Sequence, residues 1–452
     1  MTNQTILSVL RCVLVLAILL TRGMDVSAAD PARADRLAQW PNWRGPLSTG
    51  VAPLADPPTE WDETKNICWR TAIPGFGHSS PVVWNDRIFV TSAIPVGDAL
   101  PPRPSQAPGA HDNLPVTHHQ RFVVLAVDRL SGDIAWQTTV GELLPHETWH
   151  VSASAASASP VTDGEHLFAF FGSYGLTCLD FEGTIVWQQD LGDMFVKHGH
   201  GEGASPALYG ETLVVNWDHE GDSFVVAFDK QTGDENWRVP RDEVTSWATP
   251  IVVEQDGRPQ VVISGTQRVR GYDLESGEVI WECGGLSANV VASPVADDGM
   301  LFAGSSYETR AILAIRLAGA VGDLTGGDHV VWTRNERTPY VPSPLLYDGA
   351  LYYLYHYQGV LTRVNARDGK EPTGPFRLPG ITDVYASPVA AAGRIFITDR
   401  EGSTLVMTTG EQPQALALNR LGEPVSATPA LVGDELILRG EQHLYSIAEK
   451  QP

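Results

Sequence analysis

The sequence predicts an all-β fold: an eight-bladed β-propeller of four-stranded blades, the last blade closed by an N-terminal strand. Three observations carry that prediction. A Ser/Thr-Pro pair recurs eight times, with its proline at Pro81, Pro160, Pro206, Pro250, Pro294, Pro344, Pro388 and Pro429. A hairpin signature recurs as Asp128…Gly132…Trp136, Asp180…Gly183…Trp187, Asp229…Gly233…Trp237 and Asp273…Gly277…Trp281, always with four residues from Gly to Trp. Finally, a strand-like segment bearing Trp69 stands before the first unit, whereas the last unit stops at Leu444-Tyr445-Ser446-Ile447 without a fourth strand.

The spacing comes first. From Pro160 onward the prolines lie 41 to 50 residues apart, the length of one blade. The first interval is 79 residues and contains a Pro/His-rich insertion, residues 94–120. Each unit reads as a short strand after the proline, a turn, a second strand such as Arg87-Ile88-Phe89-Val90, a third ending in Asp, and a fourth carrying Trp. In the third-to-fourth link Asp accepts from turn N–H groups and Gly takes a positive φ, which sets Trp at a constant register. Trp69, Trp136, Trp187, Trp237, Trp281 and Trp332 are therefore expected to dock one unit on the next. Units five to seven are degenerate: Trp332 follows a loop, Phe376 stands near the Trp position of the sixth, and the seventh has neither Asp nor Trp. Supplying Ile67 to Ala72 as the missing fourth strand closes the ring and removes an exposed edge.

The 452-residue chain is 43% hydrophobic and 19% charged, with 13 Trp, 43 Gly and 32 Pro, a turn-rich globular composition. Residues 1–29 read as an export signal: Arg11, an apolar run from Cys12 to Leu20, and small residues at a cleavage point near Ala28/Ala29. That run is too short to span a bilayer. Residues 30–66 are expected to be an N-terminal extension and 67–450 the propeller. The formal charge is −23. So acidic a surface disfavours nucleic acid and anionic lipid. The product is expected to be a periplasmic or secreted monomer with no membrane-spanning segment. Three cysteines follow the leader, Cys68, Cys178 and Cys283, all in apolar strand-like segments and read as core residues.

The Asp-x-x-Ser/Thr-Gly-x-x-x-Trp hairpins, the Ser-Pro strands and Trp40-Pro41-Asn42-Trp43-Arg44-Gly45-Pro46 resemble the pyrroloquinoline-quinone (PQQ) repeat. That repeat builds the quinoprotein alcohol dehydrogenase-like propellers and the outer-membrane assembly factors of the BamB type. The resemblance covers Trp40 to Ile447 and implies the fold. Catalytic members carry two adjacent cysteines over the quinone and a Glu/Asn/Asp set around Ca²⁺. This chain has no Cys-Cys pair, and none of its carboxylates matches that set, so no catalytic residue is assigned.

Fourth-to-first and second-to-third strand loops share one propeller face, around the mouth of the central channel. Ten of the 13 histidines fall there: His78, His111, His118, His119, His146, His150, His198, His200, His219 and His356. His78, His150, Glu202, Asp218, Glu220, Trp247, Tyr340 and Tyr385 are the expected binding face. His198, His200 and His219 are the candidate ligands for a divalent metal, because imidazole suits borderline transition metals. His146-Glu147-Thr148-Trp149-His150 fits H-E-x-x-H, but Pro145 and the strand context deny it the helix that zinc binding needs.

The function expected is an exported, non-catalytic propeller that binds an envelope protein or a polysaccharide, with no cofactor. The alternatives are a PQQ- or metal-dependent oxidoreductase with its site at the channel mouth, and a carbohydrate-binding propeller.

Overall fold

The computed structural model describes residues 31–449; the expected leader, 1–29, lies outside them. A short helix spans Pro31–Leu37, and no helix among the described residues is long and apolar enough to cross a membrane. The remainder forms eight antiparallel blades, with a two-stranded ribbon beside them.

Blade one pairs Val82–Trp84, Arg87–Val96, His119–Asp128 and Ile134–Leu143 in that order. Blades two to seven repeat this order. In blade eight, Ile67–Ala72 lies antiparallel to His443–Ile447, with Thr71 opposite Leu444. The N-terminal strand thus supplies the outer edge that the C-terminus lacks. Second and third strands are apolar on both faces, as in Phe122 to Val127, because each blade is packed between two neighbours.

The recurrent Ser/Thr has a structural reason. In every blade the hydroxyl before the proline accepts the main-chain N–H of the equivalent residue one blade earlier. Ser80 donates to Ser159, Ser159 to Ser205, Ser205 to Thr249 and Thr249 to Ser293. Ser293 donates to Ser343, Ser343 to Ser387, Ser387 to Thr428 and Thr428 back to Ser80. The ring of eight bonds is closed, and all lie between 2.8 and 3.0 Å.

Five tryptophans link blades at the outer edge. The indole N–H groups of Trp69, Trp136, Trp187, Trp237 and Trp332 donate to Arg129, Phe181, Lys230, Leu274 and Ala366 carbonyls in the following blade. Each ring lies flat over a hairpin glycine. A Cβ on Gly233, at φ +74°, would stand 2.6 Å from the Trp187 ring, so the glycine is needed for contact as well as for the turn. Trp281 takes another course. Its indole is fully buried against Gly271 and donates to Gln260 Oε1 within its own blade. Blade five has no Asp-x-x-x-Gly hairpin to receive it; Gly322–Asp323 from the long link instead pairs in parallel with Trp281 and Glu282 as a fifth strand of blade four.

Residues 40–52 lie against innermost strands, and Thr59 and Trp61 reach Asn419 on the outer strand of blade seven. Trp40 bridges to Val83 and Val51 to Ala390. The fully buried Arg44 donates to the carbonyls of Pro388, Thr49 and Pro344, and burial lowers its pKa to about 9. The insertion of blade one is shorter than its sequence limits, since Ile94, Pro95 and Val96 pair with Arg121, Gln120 and His119 in one long hairpin. Its tip returns to the propeller, where Asn113–Leu114 pairs with Trp149–His150.

Candidate functional site

The eight latch hydroxyls share a second role: all of them line one cavity of about 440 Å³ at the channel mouth. Trp43, carried in by the N-terminal segment, contributes to its lining, with the Arg44 guanidinium 5.5 Å from the indole centre.

One wall is aromatic. Tyr307 and Tyr340 stack with centroids 5.8 Å apart, and Tyr357 bridges Tyr340 and Tyr385 at 6.3 and 6.0 Å. Tyr307 and Tyr357 are 49% and 40% exposed, which leaves ring faces open to a ligand. Burial, with Tyr307 and Tyr385 nearby, raises the Tyr340 phenol to about 12, so it stays a neutral donor. Trp247 is held by donation from its indole to Gly201 O at 2.8 Å.

The facing wall is imidazole. His111 from the insertion, His150 from the link into blade two, and His198 and His200 from the link into blade three all line the cavity. Centroid separations are 4.7 Å for His111–His200, 5.1 Å for His111–His198, 5.3 Å for His198–His200 and 4.8 Å for His150–His200. Asn113 ties the insertion to this wall by donating to His198 O at 3.1 Å. His150 and the tyrosine wall meet through Ser152, whose Oγ lies 2.7 Å from His150 Nδ1 and 3.2 Å from the Tyr385 hydroxyl. Burial, then the other three imidazoles, lowers His200 to about 4. His78 also lines the cavity; burial, then Arg439 and Arg400, lowers it to about 3.

The expected face is therefore divided. His78, His150, His198, His200, Glu202, Trp247, Tyr340 and Tyr385 meet at one mouth. Asp218, Glu220 and His219 do not line it. Asp218 makes a bidentate, fully buried ion pair with Arg241 at 2.7 and 3.0 Å and accepts from Ser246. Glu220 accepts from Thr245 Oγ1. The buried His219 accepts the Phe195 N–H through Nδ1, so its ring braces a loop and is not grouped with His198 and His200. Within His146 to His150 the two imidazoles separate: His146 contacts Met194 O at 2.7 Å, while Trp149–His150 is a strand. Among the described residues, no three His, Cys, Asp or Glu groups stand ready to hold a metal ion. Glu202 is held by Ser173 N–H and Oγ, both at 2.6 Å, and burial raises it to about 8.

Sequence reasoning missed Trp43, Tyr307 and Tyr357, and placed His111 on the face without assigning it a site. The available signal for the tyrosines was positional, since both stand in the second-to-third strand turns of adjacent blades. For Trp43 it was the aromatic opening motif.

The family described as Outer membrane protein assembly factor BamB matches residues 120–373. No curated protein matches the sequence. Among solved structures, a europium-containing methanol dehydrogenase is similar with TM-score 0.55 at 11% identity, over 91% of this chain and 89% of that one. The computationally designed protein Ika8 gives 0.50 at 11% identity, over 77% and 98%. BamB from Moraxella catarrhalis gives 0.49 at 15% identity, over 79% and 98%. At these identities the likeness is one of fold.

Proposed function

This chain belongs to the outer membrane protein assembly factor BamB family, and we propose that it works as an exported, non-catalytic binding propeller of the cell envelope. The channel mouth is its binding site, and the partner best suited to it is a polymer presenting uncharged, hydroxyl-rich units such as a polysaccharide. One observation carries this reading: a ring of Ser/Thr hydroxyls, open tyrosine faces and two tryptophans converge on a single cavity. Sugars bind through stacking of their apolar faces on aromatic rings and through multiple neutral hydrogen bonds.

The same lining suits PQQ poorly. That quinone bears three carboxylates, and no Lys or Arg is among the described residues lining the cavity. Glu202, the one carboxylate there, has both oxygens engaged by Ser173. Cys68, Cys178 and Cys283 are free and line no part of it. The family description favours a second reading, in which an envelope protein covers this face.

The test is to purify the full chain from its own source and record both its absorption spectrum and its saccharide content. The reading expects no quinone absorption and co-purifying saccharide. A stoichiometric quinone band would overturn it in favour of an oxidoreductase, and a tightly bound envelope protein without saccharide would favour the second reading.

A further inference from the structure

His111, His198 and His200 reach the mouth from two separate loops, and the first two each have one ring nitrogen committed to the main chain. His111 Nδ1 lies 2.9 Å from Gly109 O and His198 Nδ1 lies 3.0 Å from Pro108 O. A carbonyl only accepts, so in both rings Nδ1 carries the proton and Nε2 is a bare lone pair. His200 Nε2 is buried without a hydrogen-bond partner. Main-chain carbonyls that fix Nδ1–H and free Nε2 are the usual outer contacts of metal-binding histidines.

The spacing agrees. Around a tetrahedral Zn²⁺ bound at about 2.0 to 2.1 Å, neighbouring imidazole centroids lie roughly 5 Å apart. The three separations here are 4.7, 5.1 and 5.3 Å. As they stand the three rings are not arranged to hold a metal ion, so they must rotate to close the site. His111 sits on an exposed loop, and the His198 ring packs directly over Gly109, where a Cβ would stand 2.8 Å from its Nδ1.

We propose that His111, His198 and His200 form a three-imidazole site for a borderline divalent transition metal, Zn²⁺ or Cu²⁺, with His150 beside it and a fourth position open to the cavity. Nitrogen donors select such ions over hard Ca²⁺ or lanthanides, which take oxygen ligands. The insertion of blade one thereby acquires a role, because it supplies His111 and, through Asn113, fixes the turn that carries His198.

The test is calorimetric titration of the chelator-stripped full chain with Zn²⁺ at pH 7.5, together with Cu²⁺ electron paramagnetic resonance. The variants are His111→Ala, His198→Ala and His200→Asn, with His119→Ala, on the same hairpin but outside the cluster, as the control. The expected result is one Zn²⁺ per chain in the wild type and in His119→Ala, weakened more than ~100-fold in each cluster variant. The Cu²⁺ spectrum should show coupling to several nitrogens. Absence of uptake by the wild type, cluster variants that bind as tightly as it does, or a Cu²⁺ spectrum without nitrogen coupling would each overturn the proposal. Because the wild-type spectrum needs no substitution, a variant that failed to fold would not blunt the test. Metal uptake is measured without saccharide present, so its result stands whether or not the saccharide reading holds.

Discussion

The main-chain N–H of Thr428 donates to Ser80 Oγ at 3.0 Å, across 348 residues of sequence, and so closes a ring of eight bonds that passes once through every blade. Both residues are buried and both line the channel mouth. The residues whose hydroxyls hold the blades in a circle therefore also line the cavity at the channel mouth.

Ser80→Ala tests the latch. It leaves the Thr428 N–H buried without its acceptor, at an expected cost of about 1 to 3 kcal/mol. Chemical denaturation should show a lower midpoint with an unchanged slope. A variant as stable as the parent would mean that closure depends on the blade-eight strand pairing alone.

Closure by the N-terminal strand is tested by truncation. Deleting residues 30–75 removes the partner of His443–Ile447 and takes away Trp69, Trp40 and Arg44 with it. An open sheet edge and a lost shared core should give aggregation or a large fall in melting temperature. A truncated chain that melts like the full one would contradict the shared blade.

Trp237 and His219 set architecture against loop support. Trp237→Ala loses its stacking on Gly277 and its bond to Leu274 O, and should cost about 3 kcal/mol or more. His219→Ala should cost about 1 to 2 kcal/mol, because it orphans the Phe195 N–H. The measurement is denaturant unfolding of both variants. The reverse order would show that the outer-edge tryptophans are dispensable.

His78 predicts a pH dependence. Its folded-state pKa is lowered to about 3 by burial, then by Arg439 and Arg400, so the folded protein holds it neutral. Its contribution is fully present above the unfolded value of about 6.5 and is lost as pH falls from there toward the folded value. Between pH 7 and pH 5, His78→Gln should therefore lose less stability than the parent, by on the order of 1 kcal/mol. Parallel stability profiles for the two proteins would contradict this.

How far the sequence revealed this molecule follows from the range of each interaction. The blades were legible because their determinants are local: a proline, a turn glycine and a tryptophan within about ten residues announce one hairpin. Trp69 was legible by counting, as an unmatched strand at one end and a missing one at the other. Trp281 looks identical to its counterparts in sequence but turns inward, because its expected receptor lies in the degenerate next blade. His219 failed for a related reason. It shares a blade with His198 and His200, yet the Phe195 N–H draws its ring into a loop brace, while His111 joins them from an insertion whose return path rests on pairing between Asn113–Leu114 and Trp149–His150. Adjacency around a channel is set by such pairings, and they leave no spacing signal.

The most direct test of the binding account is fluorescence titration of the full chain with a purified neutral oligosaccharide from the envelope of its source, since Trp43 and Trp247 line the cavity and report on its contents. The account predicts a saturable change in tryptophan emission for the parent and its loss in Tyr340→Ala, with the melting temperature of that variant preserved in the absence of ligand. An emission that does not respond to the oligosaccharide, or an equal response from parent and Tyr340→Ala, would contradict it.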